Sequence, residues 1–134
     1  MAGLPRLKPL RIAIFNDGQD TIAMLSAWFA SNGHHALTAR LQDMRQADSE
    51  ADAFIARNKA DVVVFDVGLP YEPNWDFDEV LRLLPGAQNV PFVFTSANTI
   101  ELEKLVGPTD AYLLTGTAAN LAGLMDRINT AVGR

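Results

Sequence analysis

The chain has 134 residues and a formal net charge of −5. It contains no cysteine, so disulfides, thiolate metal sites and thiol catalysis are excluded together. The acidic balance argues against a nucleic-acid surface, which needs a basic stripe, and no apolar run approaches the ~20 residues of a membrane span.

The length suits one domain with its own core. Positions 1–10 carry Pro5 and Pro9 without the apolar segment of a signal peptide, and are read as a loose arm ahead of a domain over 11–134. The absence of cysteine fits a cytoplasmic setting. Arg11 to Phe15 is a short apolar strand, followed by the polar turn Asn16, Asp17, Gly18 and Gln19. Asp20 or Thr21 caps a helix with Met24, Leu25, Trp28 and Phe29 at helical spacing, and Asn32–Gly33 stops it. Ala36 to Leu41 is a weaker strand. Asp48 or Ser49 opens a second helix, with Ala51, Phe54 and Ile55 inside, to about Lys59.

Val62 to Phe65 are β-branched or aromatic without interruption, as in a strand buried on both faces, and the run ends on Asp66. Tyr71 to Trp75 is expected to be a loop, since Pro70, Pro73 and Asn74 are turn residues. Tyr71 and Trp75 either form a binding lip or pack on the next helix. That third helix is expected near Asp76, with Val80, Leu81 and Leu84, and Pro85–Gly86 ends it. Pro91 to Thr95 is a fourth strand, Thr99 to Val106 a short helix, and Ala111 to Leu114 a fifth strand. The last helix places Leu121, Leu124, Met125, Ile128 and Val132 at steps of three and four. Five strands alternating with five helices predict a parallel sheet with helices on both faces.

In such a sheet the carboxyl ends of the strands share one edge, where ligands bind. Asn16 and Asp17, Asp66, Ser96 and Thr115 all fall just after strands. Two carboxylates and an amide oxygen form a hard-oxygen set suited to Mg²⁺, and Asp66 is placed as a carboxylate nucleophile that takes a phosphoryl group. No general base accompanies Asp66, so an enzyme acting on a small molecule is not expected. His34 and His35 have no third ligand in range and are read as solvated.

Four segments in register carry a resemblance: Ile14 to Asp20, Phe65 to Pro70, Phe94 to Ala97 and Ala111 to Leu114. Over about residues 10 to 132 the chain resembles the receiver domains of bacterial two-component response regulators. The resemblance implies a flavodoxin-like doubly wound sheet of strand order 2-1-3-4-5. It makes Asp66 the phosphoryl acceptor, with Asn16, Asp17, Asp66 and the Gly68 carbonyl around Mg²⁺. Ser96 becomes the switch hydroxyl that meets the phosphoryl group, and Tyr112 the aromatic switch on strand five.

Two departures matter. The family has two adjacent acids after strand one, and here the first is Asn16. The family also has a lysine after strand five, where Thr115 stands, and Gly116 replaces the usual proline. Threonine donates a hydrogen bond but neutralises no charge. The loop after Pro70 is about three residues longer than usual in the family, and the fourth helix about three residues shorter.

The expected function is a stand-alone receiver in a phosphorelay, signalling through protein contacts. The alternative is a phosphorylation-independent pseudo-receiver that binds a partner with the same surface. Expected partners are a sensor histidine kinase or phosphotransfer protein and a downstream protein. Small residues at Ala23, Ser26, Ala27 and Ala30, and at Ala118, Ala119, Ala122 and Gly123, either just favour helix or form a contact face, including one for a homodimer.

Overall fold

A computed structural model describes residues 8–45 and 47–134. Most of the expected N-terminal arm therefore lies outside the described residues. At its described end Leu10 is buried, with its N–H on His34 Nδ1 at 2.9 Å.

The chain runs β1 (Arg11–Asn16), α1 (Gln19–Ser31), β2 (His35–Arg40), α2 (Leu41–Met44), α3 (Asp48–Arg57), β3 (Val62–Asp66), α4 (Tyr71–Leu81), β4 (Phe92–Ser96), α5 (Thr99–Val106), β5 (Tyr112–Leu113) and α6 (Ala118–Ala131). The five strands are all parallel, in the order β2-β1-β3-β4-β5. β3 lies in the middle, as its uninterrupted apolar run requires, and Val62 to Phe65 are buried.

Side-chain alternation splits the core into two layers. On one face Ile12, Ile14, Val62, Val64 and Val93 pack with α1 and α6 through Leu25, Phe29, Leu121, Leu124 and Ile128. On the other, Ala13, Phe15, Val63, Phe65 and Phe94 pack with α3, α4 and α5. Phe65 is the hub of that second layer, with ring centroids of Phe15, Phe77, Phe92 and Phe94 at 6.0 to 6.5 Å.

Three expectations are corrected. The described residues form six helices, not five, because α2 follows β2 directly. Its Leu41 is buried in the aromatic layer, and the Gln42 N–H in its first turn donates to Asp17 Oδ1 at 2.8 Å. Four residues are too few to display a helical period. The predicted loop over Tyr71 to Trp75 is also helix, since α4 starts at Tyr71. Pro73 lies in its first turn, where no intrahelical N–H bond is lost, and Trp75 packs on Phe94 with ring centroids 5.5 Å apart. β5 is shorter than expected, pairing only Tyr112 and Leu113 with Thr95 and Ser96.

Candidate functional site

Three predicted site residues share one cavity. Asn16 from the end of β1, Asp66 from the end of β3 and Thr115 after β5 line a cleft of about 270 Å³, with Asp20, Thr21 and Met24 of α1 on its wall. They meet there because β1 and β3 are adjacent parallel strands in register, Phe15 opposite Phe65. The cleft is at the carboxyl edge where the strands release their loops.

Asp66 is largely withdrawn from water. Burial pushes its carboxyl up to about 6; the Thr95 hydroxyl works against that shift, and the charge of Asp17 adds to it. Thr95 Oγ donates to Asp66 Oδ1 at 3.0 Å. Among the described residues no lysine or arginine forms an ion pair with Asp66. Gly68 keeps the space beside the carboxylate, since a Cβ there would stand 3.1 Å from Asp66 Oδ2.

Thr95 was missed by sequence reasoning, which singled out Ser96. Thr95 is the register partner of Asp66, and partners in register present their side chains on the same face. Ser96 points the other way and is fully buried. Its hydroxyl donates to the Val67 carbonyl at 2.9 Å and accepts the Asn98 N–H at 3.3 Å.

The other predicted groups, like Asn16 and Thr115 of the cleft, are held by protein partners. Asn16 Oδ1 accepts the Gly18 N–H at 2.8 Å. Asp17 Oδ1 accepts the Gln42 N–H, and the Asp17 carbonyl meets Arg40 at 3.4 Å. The Gly68 carbonyl accepts Nδ2 of buried Asn74 at 2.9 Å. Thr115 is exposed, and its backbone N–H donates to Asn120 Oδ1 at 2.8 Å. Tyr112 packs against the α1–α6 layer with its hydroxyl on the Asn120 carbonyl at 2.8 Å and Arg127 5.3 Å from its ring centroid. Gly123 exists for that ring: a Cβ there would stand 2.2 Å from the Tyr112 hydroxyl. One of the small residues read as a contact face thus serves an internal contact.

Among the described residues no three His, Cys, Asp or Glu side chains form a metal cluster. The oxygen set of Asn16, Asp17, Asp66 and the Gly68 carbonyl still has the hard-donor chemistry that suits Mg²⁺, which needs few protein ligands. Asp66 and Asn16 face the shared cleft. No described helix is long and apolar enough to cross a membrane.

No family model matches the chain, and no curated protein matches it in sequence. Solved structures do match in fold. The receiver domain of a sensor histidine kinase from Pseudomonas aeruginosa, with magnesium coordinated in its active-site cleft, superposes with a TM-score of 0.70 at 17% identity, over 95% of this chain and 100% of that one. The beryllofluoride-activated N-terminal receiver domain of RstA from Klebsiella pneumoniae gives 0.64 at 20% identity, over 92% and 99%. A chemotaxis response regulator of Vibrio cholerae gives 0.63 at 20%, over 90% and 99%. The chain therefore has the receiver fold, with the strand order expected of it.

Proposed function

We propose that this chain is a receiver module of two-component signalling, with Asp66 as phosphoryl acceptor and with output through protein contact. One observation carries the reading: a desolvated carboxylate ends the central strand of a receiver fold, in a cleft it shares with Asn16 and Thr115. The donor is a phosphohistidine on a sensor kinase or phosphotransfer protein. An Asp66 oxygen attacks phosphorus, the P–N bond breaks, and the imidazole leaves with its electron pair as the acyl phosphate forms. Thr95 holds Oδ1 of Asp66, which leaves Oδ2 as the attacking oxygen. Only ionised Asp66 attacks, so with a carboxyl near 6 the modification rate rises with pH through that value. Mg²⁺, held by Asn16, Asp17, Asp66 and the Gly68 carbonyl, supplies positive charge for the phosphoryl oxygens when bound. Ser96 and Tyr112 remain the proposed switch residues, each leaving its Val67 or Asn120 partner on activation. The module turns over no small-molecule substrate, works in the cytoplasm, and offers the exposed Ala23, Ala27 and Ala30 of α1 to a downstream protein or a second copy.

A second reading, the phosphorylation-independent pseudo-receiver, is favoured by the absence of a cation paired with Asp66 among the described residues. Acetyl phosphate and beryllofluoride separate the two. The receiver reading expects slow, incomplete modification by intact mass, abolished in Asp66→Asn and strengthened in Thr115→Lys, whose ammonium restores a charge-assisted contact worth about 1.5–3 kcal/mol. No adduct in either wild type or Thr115→Lys would hand the site to the second reading.

A further inference from the structure

Two of the four oxygens assigned to the cation are tied to α2 and the residue that ends it, one directly and one through Asn74 of α4. At the start of α2 the Gln42 N–H binds Asp17 Oδ1. At its end Arg45 Nη1 donates to Asn74 Oδ1 at 3.0 Å, and Asn74 Nδ2 donates to the Gly68 carbonyl at 2.9 Å. Asn74 is 1% exposed, and both ends of its amide are used. Its orientation is forced: a guanidinium only donates, so the amide oxygen must face Arg45, and a carbonyl only accepts, so the amide nitrogen must face Gly68.

We propose that Asn74, fixed by Arg45, is an internal gate on the cation site, occupying the Gly68 carbonyl and setting how tightly a divalent cation binds. This deepens the receiver reading and rests on it. An N–H directed at a carbonyl oxygen places positive hydrogen where a cation would sit. A divalent ion that approaches the oxygen's second lone pair meets the positive hydrogen beside it, so it binds against that repulsion or turns the amide away and leaves a buried donor unpaired, which is costly. Arg45 opposes that turn, because a rotated amide would present its NH₂ to a guanidinium. The gate thus couples the first turn of α4 and the end of α2 to occupancy of the site: a bound cation loosens both, and whatever draws Arg45 away raises cation affinity.

The test is a Mg²⁺ titration, read by backbone and side-chain amide NMR, of wild type, Asn74→Ala and Arg45→Met. Both variants are expected to bind Mg²⁺ about tenfold more tightly than wild type, and the gain disappears when Asp66→Asn is added. In wild type, saturating Mg²⁺ is expected to shift the Asn74 side-chain NH₂ pair while that of Asn120, bound to the Leu113 carbonyl, stays in place. A merely structural Asn74 would move neither the affinity nor that signal. Equal affinity in all three proteins overturns the gate and leaves the cation site standing. No binding in any of them overturns the gate and the cation site together. Should Asn74→Ala fail to fold, Arg45→Met decides the matter alone, because it leaves the asparagine in place and removes only what fixes it.

Discussion

The two flanks of Asp66 are built differently. On the β3–α4 side, Gly68 is tied through Asn74 to Arg45, and Asp17 is tied to Gln42, so the loop after Asp66 is knit into α2 and α4. On the β5–α6 side, the loop at Thr115 and Gly116 hangs on one residue: Asn120 accepts both of their N–H groups and donates to the Leu113 carbonyl. The first flank is the one whose sequence best resembles receivers, and the second is the one where the lysine is missing. A matched motif therefore does not guarantee a free site, and the largest departure lies where the cleft is open. The comparison teaches that side-chain bonds outside the motifs decide what the motif residues are free to do.

The sharpest way to break the contrast is Phe65→Ala. Phe65 is the hub of the aromatic layer that supports α3 and α4, so the cost should be about 3–5 kcal/mol in urea unfolding. Hydrogen exchange should rise more in α2 and α4 than around Thr115, because α6 packs on the opposite layer. Equal loosening of both flanks would show that they are not independent.

Asp66→Asn comes next in size and acts between the flanks. The Asp66 carboxyl rises from 3.8 to about 6 in the fold. A group with a raised folded value contributes most below its unfolded value, and the contribution is lost as pH rises through the folded one. Wild type should therefore lose stability relative to Asp66→Asn between about pH 4 and 6, by up to about 3 kcal/mol, with a constant difference above that. Asp78, pushed up to about 7 by burial against its pairing with Arg82, titrates in both proteins and cancels in the difference. Urea midpoints at four pH values measure it, and a difference independent of pH would mean that Asp66 is solvated.

The smallest effect is expected from Asn120→Ala, at about 1–2 kcal/mol, through three lost hydrogen bonds that water partly replaces. Exchange should quicken at Leu113 to Thr117 while the Val67 and Asn74 amides, bonded to the Thr95 and Pro70 carbonyls, stay protected. Loss of protection on both sides would mean that Asn120 also holds the α4 flank.

Local chemistry made the strands legible, and the family resemblance supplied their order. The unbroken apolar run of Val62 to Phe65 placed β3 at the centre, and Asn32–Gly33 stopped α1 where a helix must stop. Once the strands are parallel, Asn16, Asp66 and Thr115 fall on one edge without further information. α2 was hidden because four residues show no period, and the start of α4 because Pro73 and Asn74 read as turn residues although a first helical turn tolerates both. Tertiary pairing also decided which hydroxyl faces Asp66. Thr95 and Ser96 differ by one step along β4, and one step reverses the face; only the register of Asp66 against Thr95 selects between them. The partners of Asp17 and Gly68 were likewise set by packing, since Gln42 and Asn74 are distant in sequence or unremarkable in type, and reach the site only because buried N–H and C=O groups must find one another when α2 and α4 close over the sheet.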